Sequence, residues 1–182
     1  MDSIARSAYA PRCKAPMEEK NNVANRNFSI AHDVSRVFKC LTNPDYILAR
    51  SKAMGELDAS CKIAREGDRT SLHITRTVCH EADKLPKLMR RFGLRQTVVI
   101  DEQWWDDGEG KAGRFHARPG NLPIELEADL AITPTSTGSE LSITQRCRVH
   151  VPLIGSTLEP LMLEQRQKDL DQEVAYLREA LA

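Results

Sequence analysis

The chain has 182 residues, of which 41% are hydrophobic and 29% charged, a composition typical of one soluble globular domain with a real core. Lysine and arginine together number 26, and so do aspartate and glutamate, so the formal net charge is zero. A general nucleic-acid binder usually carries a basic excess. The charge balance therefore argues against a nucleic-acid partner, and no apolar run has the length of a transmembrane helix.

The first 25 residues carry scattered charges and no continuous apolar segment, so they predict a disordered polar tail rather than a secretory signal. A transit peptide is the alternative, because Arg6 and Arg12 flank small residues. We expect the folded domain to span residues 26–182.

The cysteines are odd in number and form no C-x-x-C pair, which argues against a disulfide framework and a zinc site. They are Cys13, Cys40, Cys61, Cys79 and Cys147. Reduced thiols predict a cytoplasmic location.

The first predicted elements are a short strand at 28–30 and two helices. Asp33 is placed to cap the first helix, which carries one apolar stripe. The stripe consists of Val34, Val37, Phe38 and Leu41. Asn43-Pro44 then predicts a cap and first residue for a second helix, with Ile47 and Leu48 as its buried side.

From about residue 56 the apolar period changes to two, which predicts strands. The alternating segments are 57–63, 72–79, 98–104, 115–117, 124–132 and 141–151. Gly-containing turn signals separate them, the strongest of which is Asp106–Gly110. One apolar face and one polar face predict an antiparallel sheet.

The C-terminal segment predicts one long helix. Ser156-Thr157-Leu158-Glu159 has the pattern of a capping box, and Pro160 is assigned to the first turn. The apolar stripe that follows is Leu163, Leu170, Val174, Leu177 and Leu181. A helix from Ser156 to Leu181 would be roughly 39 Å long. Because no other element is large enough to cover the apolar face of the sheet, we predict an α+β domain whose sheet curls around this helix.

This order of elements resembles the START-like, or helix-grip, superfamily, and more narrowly the bacterial family of unknown function DUF2505. The resembling residues are Phe28 to Asp45, Lys84-Leu85-Pro86, Glu102-Gln103-Trp104-Trp105 and Val151-Pro152-Leu153-Ile154-Gly155 with Leu158-Glu159. The resemblance implies a helix-grip fold with six to seven strands. It also implies a cavity between sheet and helix, used across the superfamily for lipids, sterols, polyketides and other apolar compounds. It implies no catalytic motif.

Polar residues on otherwise apolar strand faces are the candidate site. By strict alternation Arg76, Glu102 and Gln145 point inward, and a charge in a core must be paired or solvated. Arg76 and Glu102 would then either orient a ligand head group or form an internal ion pair. The alternative is a bulge that turns one of them outward. A buried Glu102 is also the single catalytic candidate, as an acid or base.

Apolar residues near these positions complete the predicted pocket, with ordinary core packing as the alternative for each. The predicted ligand-binding residues are Arg76, Glu102, Trp104, Phe115, Ala117, Gln145, Met162 and Leu163. The five histidines are dispersed and no nucleotide-binding or hydrolase motif occurs, so we expect no metal and no cofactor.

The segment 84–95 predicts an amphipathic helix with a basic face, beginning near Pro86 and ending at Gly93. It is either an ordinary helix on the sheet edge or a lid over the pocket mouth whose basic side meets anionic lipid or an anionic ligand. Three functions follow from the whole pattern. They are binding or transport of an apolar small molecule or lipid, a cyclase-like or hydrolase-like enzyme using Glu102, and a protein-interaction module with a filled core.

Overall fold

The computed structural model describes residues 23–82, 87 and 89–182. Three α-helices lie in this part of the chain: α1 (Val34–Leu41), α2 (Pro44–Ala53) and α3 (Gly155–Leu181). The strands are β1 (Val23–Ile30), β2 (Asp58–Glu66), β3 (Arg69–Cys79), β4 (Arg95–Asp106), β5 (Lys111–Pro119), β6 (Ile124–Thr135) and β7 (Gly138–Val149). The expected tail at 1–25 lies outside the described residues except for its last three, which begin β1.

The strands form one antiparallel sheet in the order β1-β7-β6-β5-β4-β3-β2. Consecutive strands from β2 to β7 are neighbours, and short turns connect all of them except β3 and β4, between which residues 80–94 lie. The predicted turn between β4 and β5 is confirmed, because the Asp107 carboxylate accepts the backbone N–H groups of Glu109 at 3.2 Å and Gly110 at 2.7 Å. Gly108 has a φ of +100°, which only glycine adopts readily.

Both predicted caps of the short helices are confirmed. The Asp33 side chain accepts the Arg36 N–H at 2.9 Å, and the Asn43 side chain accepts the Asp45 N–H at 2.9 Å. The predicted buried side of α2 is only half right, because Ile47 is buried but Leu48 is 38% exposed. Tyr46 takes the second inward position of this helix.

The start of α3 differs from the capping-box prediction, which is wrong. The helix begins at Gly155, and its N-cap residue Ile154 makes no side-chain hydrogen bond to the helix. The Glu159 carboxylate instead accepts the backbone N–H of Val149 at 3.0 Å, because this buried amide at the end of β7 requires an acceptor. Pro160 is the sixth helical residue, not a first-turn residue.

The helix α3 packs its apolar stripe against the sheet, as predicted. Leu163, Leu170, Val174, Leu177 and Leu181 are all buried. Its C-terminal half shares a core with β1, β3–β7, α1 and α2, whereas its N-terminal half packs on a smaller cluster around Ile124, Cys147 and Val149. Residues of both cores line the candidate site.

The predicted amphipathic helix at 84–95 falls partly outside the described residues, since 83–86 and 88 are not described. The part that is described is a 3-10 helix, Met89–Phe92. Gly93 follows it with a φ of +92°, consistent with the predicted helix end. None of the described helices is long and apolar enough to cross a membrane.

Candidate ligand-binding site

Two adjoining spaces lie between the sheet and α3. The inner cavity has a volume of about 80 Å³ and lies against the C-terminal half of α3. The outer cleft has a volume of about 750 Å³ and lies against its N-terminal half. Arg76, Arg166 and Glu173 line both spaces, so this group of charges forms the boundary between them.

A buried ion cluster of five side chains forms this boundary: Arg50, Arg76, Arg166, Glu56 and Glu173. Arg166 donates to both carboxylate oxygens of Glu173, at 2.6 and 3.1 Å, and Arg50 Nη1 lies 3.8 Å from Glu173 Oε2. Arg76 is hydrogen bonded to Glu56. Each of the five side chains is less than 20% exposed, so the charges interact with little screening by water.

The charges of the cluster determine the protonation of its members. Burial alone would raise the pKa of Glu173, but Arg166, Arg50 and Arg76 outweigh it and hold that pKa far below its ordinary value. Burial lowers the pKa of Arg76, and Glu173 and Glu56 offset this only in part. The cluster therefore stabilises an ionised Glu173 fully and the cation of Arg76 incompletely.

Glu102 lines the inner cavity together with Arg50, Arg76, Arg166 and Glu173 of this cluster. Burial raises the pKa of its carboxyl group, although Trp104 Nε1 donates a hydrogen bond to it and Arg50 attracts its negative charge. Trp104 itself is fully buried, and its ring meets Phe38 edge-on at 5.9 Å between centroids. Glu102 is thus a buried carboxyl group that keeps its proton to a higher pH than a carboxyl group in water does.

The alternative of an Arg76–Glu102 ion pair is not what the structure contains. The register pairs Arg76 with Val98 and Leu72 with Glu102, so the backbone positions of the two residues lie four residues apart along the sheet, about 13 Å. The bulge alternative is not observed either, because β3 and β4 pair without interruption and both side chains line the inner cavity. Arg76 reaches Glu56 instead, in the loop that follows α2.

The sequence-predicted ligand residues divide between the two spaces. Arg76, Glu102, Trp104, Phe115 and Gln145 line the inner cavity, and Arg76, Ala117 and Met162 line the outer cleft. Leu163 belongs to the smaller core cluster and lines neither of these two spaces. The binding roles of these residues stay predictions.

Sequence reasoning missed Arg50, Glu56, Arg166 and Glu173. A signal was present for the last two, because Arg166 and Glu173 fall at helical spacing within the buried stripe of α3, between Leu163 and Leu177. A charge on a buried face must find a partner, on a helix as on a strand, so their positions indicated an internal ion pair. Glu56 lies in a loop, where no periodicity indicates its direction.

Several enclosed polar atoms lack hydrogen-bond partners within the described part of the chain. Gln145 Oε1 and Tyr46 Oη belong to residues of the inner cavity, and Arg76 Nε, Arg166 Nε and Glu56 Oε2 belong to the ion cluster. A buried polar group without a partner costs about 1–3 kcal/mol, so a molecule that formed hydrogen bonds to these atoms would remove that cost. No group of three potential metal-ligating acids, histidines or cysteines converges among the residues described.

The outer cleft combines an apolar wall with this charged end. Its wall comes from successive strands and from α3: Val98, Ala117, Ile124, Leu126, Leu161 and Met162. Its volume lies within the roughly 300–1,000 Å³ of small-molecule pockets, whereas the inner cavity holds no more than a few waters.

Several solved structures are similar to this chain over most of its length. None of the curated protein sequences is significantly similar to this chain. The crystal structure of TTHA0849 from Thermus thermophilus is similar with a TM-score of 0.56 at 20% identity, over 87% of this chain and 94% of that one. A START superfamily protein from Mycobacterium smegmatis has a TM-score of 0.55 at 15% identity, over 89% and 100%.

A third similar structure is the Zhui aromatase/cyclase from Streptomyces sp. R1128, with a TM-score of 0.51 at 10% identity over 87% of this chain and 90% of that one. At these identities the similarity establishes the fold alone. The sequence model of the family described as a protein of unknown function (DUF2505) matches residues 26–181. The chain therefore belongs to the DUF2505 family and has the helix-grip fold of the START-like superfamily.

Proposed function

We propose that this protein binds one apolar small molecule, or the apolar part of a lipid, in the outer cleft. The observation that carries the proposal is a space of about 750 Å³ between the sheet and α3, lined on its sheet side mainly by aliphatic residues and elsewhere by charged and polar ones. Burial of apolar surface contributes roughly 25 cal/mol per Å², so a ligand whose apolar part packs against these aliphatic residues gains substantial affinity. The volume of the cleft disfavours the third hypothesis, an interaction module with a filled core.

The test is to fill the cleft from the sheet side. Ala117 is buried and lines the cleft, so Ala117→Phe is expected to abolish binding of a neutral naphthylamine fluorescent probe. Ala112 lies on the same strand but faces the other side of the sheet, an odd number of residues away, which makes Ala112→Phe the matched control. Circular dichroism checks that both variants are folded, because overpacking costs about 1–3 kcal/mol.

The expected result is one bound probe per chain for the wild type and the control, and none for Ala117→Phe. Native mass spectrometry of freshly purified protein adds an independent readout, since a bound cellular ligand appears as a mass that denaturation removes. Equal probe binding by a folded Ala117→Phe variant, or no probe binding by the wild type, would refute the proposal.

An enzymatic role is the second candidate, favoured by one observation. Glu102 lines the inner cavity with its pKa raised by burial, which is the environment of a general acid. The similar fold named as an aromatase/cyclase makes a cyclase-like reaction the class to test first. Turnover of a polyketide-like substrate that Glu102→Gln abolishes, with binding unchanged, would establish it. Unchanged turnover in the Glu102→Gln variant would exclude Glu102 as the general acid.

The contact of the basic segment 84–95 with anionic lipid stays a prediction. Lys87 and Arg90 line the outer cleft, so the described part of the segment lies at its mouth. Co-sedimentation with phosphatidylserine vesicles is expected to weaken in a Lys87→Gln/Arg90→Gln variant, and unchanged sedimentation would count against the contact.

A further inference from the structure

The two sides of the outer cleft differ in polarity. The strands contribute an apolar side, consisting of Val78, Val98, Ala117, Ile124, Leu126 and Cys147, with Arg76 at the boundary to the inner cavity. The side opposite the sheet comes from α3 and from the segment that follows β3, and most of its side chains are charged or carry an amide. A bound molecule therefore meets hydrocarbon on one face and hydrogen-bonding groups on the other.

The flank of α3 that lines the cleft is mostly polar. Four lining residues follow one another at i, i+4, i+7 and i+11, so they lie on one face of the helix: Met162, Arg166, Asp169 and Glu173. Gln165 lines the cleft next to them and donates its amide to Asp169 at 3.0 Å. Asp169 also attracts the imidazole of His80, the residue that follows β3. Polar groups from two segments thus meet on this side of the cleft.

The charges around the cleft balance. Among the described residues, five lysine or arginine side chains and five carboxylates line it. Burial lowers the pKa of His80, so this residue adds no charge at pH 7.5. Three ion pairs already join six of the ten charges: Arg166–Glu173, Arg76–Glu56 and Lys168–Glu164. Within this part of the chain a charged ligand therefore meets no surplus of opposite charge and would compete with an existing pair.

The two sides place opposite demands on a ligand. A molecule that is apolar all round would cover the polar flank of α3 and displace its water without replacing the lost hydrogen bonds, which is costly. A molecule that is polar all round would bury its own polar groups against the aliphatic strand residues, which is costly for the same reason. Both costs are avoided when the polar groups of the ligand lie along one face.

We infer that the ligand of the outer cleft is an uncharged, facially amphipathic molecule. Its apolar face packs on the strands, and hydroxyl or other neutral hydrogen-bonding groups along its opposite face contact the polar flank of α3. This inference rests on the proposed function and names its ligand class. It differs from a fatty acid or a simple long-chain alcohol, whose polarity is confined to one end of the molecule.

The experiment uses rigid steroids, because a fused ring system fixes the face on which each hydroxyl group lies. The facial triol is 5β-cholane-3α,7α,12α-triol, with all three hydroxyl groups on one face, and its 7β epimer has one of them turned away from that face. Cholic acid carries the same three hydroxyl groups as the facial triol and adds a carboxylate at the end of its side chain. Each compound displaces the neutral naphthylamine probe from the wild-type protein at pH 7.5.

The facial triol is expected to bind about 10-fold or more tighter than its epimer. The two isomers have the same composition, but the epimer loses a hydrogen bond to the polar flank and buries the displaced hydroxyl group against the apolar side. Cholic acid is expected to bind no tighter than the facial triol, because the charges of the cleft balance.

A variant tests which side of the cleft contacts the polar face. Gln165→Leu leaves the charge of the cleft unchanged, and it is expected to weaken binding of the facial triol about 3- to 10-fold while the probe binds as before. Gln167→Leu is the matched control, since Gln167 lies on the same helix, is half-buried like Gln165 and lines neither of the two spaces. The wild-type comparison of the steroids decides the ligand class independently of both variants.

The outcomes separate the two proposals. Equal affinities for the two epimers, or a probe that none of the steroids displaces, overturn the facial assignment and leave the apolar cleft in place. Tighter binding of cholic acid than of the facial triol overturns the uncharged class. An equal effect of Gln165→Leu and Gln167→Leu on the facial triol overturns the contact with the flank of α3. Absence of probe binding by the wild type refutes the proposed function itself.

Discussion

Glu173 is the centre of the buried ion cluster, and its replacement by glutamine tests the electrostatic reasoning most directly. The substitution keeps the shape of the side chain and removes its charge. Arg166, which donates two hydrogen bonds to Glu173 at 2.6 and 3.1 Å, would lose its ionic partner. Arg50, whose Nη1 lies 3.8 Å from Glu173, would lose its ionic partner as well.

The expected loss of stability is large because these groups are removed from water. Breaking a buried ion pair by removing one partner costs about 3–5 kcal/mol. Glu173 and Arg166 side chains are 12% and 15% exposed, and glutamine retains one acceptor oxygen, so we expect about 3 kcal/mol. For a domain of this size that corresponds to a decrease in Tm of about 6–12 °C.

The effect also has a predicted pH dependence. The cluster holds the pKa of Glu173 below its ordinary value, whereas the unfolded chain titrates this carboxyl near about 4.3. The stabilisation is therefore complete above that value and is lost as the pH falls toward the folded pKa. The stability difference between wild type and Glu173→Gln should shrink as the pH decreases below about 4.

Urea unfolding at pH 7 and at a series of acidic pH values measures both effects. Glu164→Gln is the control on the same helix, because Glu164 is 63% exposed and forms a surface ion pair with Lys168 at 3.0 Å. That variant is expected to change the free energy of unfolding by about 0.5 kcal/mol or less. A loss below about 1 kcal/mol for Glu173→Gln at pH 7, or a loss independent of pH, would refute the reasoning.

Three further predictions concern the neighbourhood of the sheet. Burial raises the pKa of Glu102, so stability should fall as the pH rises from the unfolded value of about 4.3 through the folded pKa. Glu102→Gln should remove this decrease of stability with pH in urea titrations and leave the protein equally or more stable at pH 7. A large loss of stability at pH 7 would show that the ionised form is needed. A Cβ at Gly113 would lie 2.8 Å from Trp104 Cδ2. Gly113→Ala should therefore lower the free energy of unfolding by about 1–3 kcal/mol, measured by thermal unfolding, and an unchanged stability would contradict this close approach. Burial raises the pKa of the Cys147 thiol to about 12, so this thiol should react slowly with iodoacetamide at pH 8. Peptide mapping should show that the exposed Cys79 is alkylated much faster than Cys147, and equal rates would contradict the prediction.

The sequence alone determined the parts of the fold that depend on local interactions. The caps at Asp33 and Asn43 were predictable because each bonds a backbone N–H two or three residues ahead. The strands and the stripe of α3 were predictable because period two and period 3.6 follow from backbone geometry. The inward direction of Arg76, Glu102 and Gln145 followed from the same alternation.

Only the tertiary structure decided the partners of these inward groups. Arg76 pairs with Glu56, twenty residues away in a loop, and Glu159 binds the end of β7 instead of capping its own helix. The curvature that separates an outer cleft of about 750 Å³ from an inner cavity of about 80 Å³ is likewise a property of the whole sheet against α3. Charge pairing and cavity volume depend on distances between segments remote in the chain, and such distances have no periodic signature in the sequence.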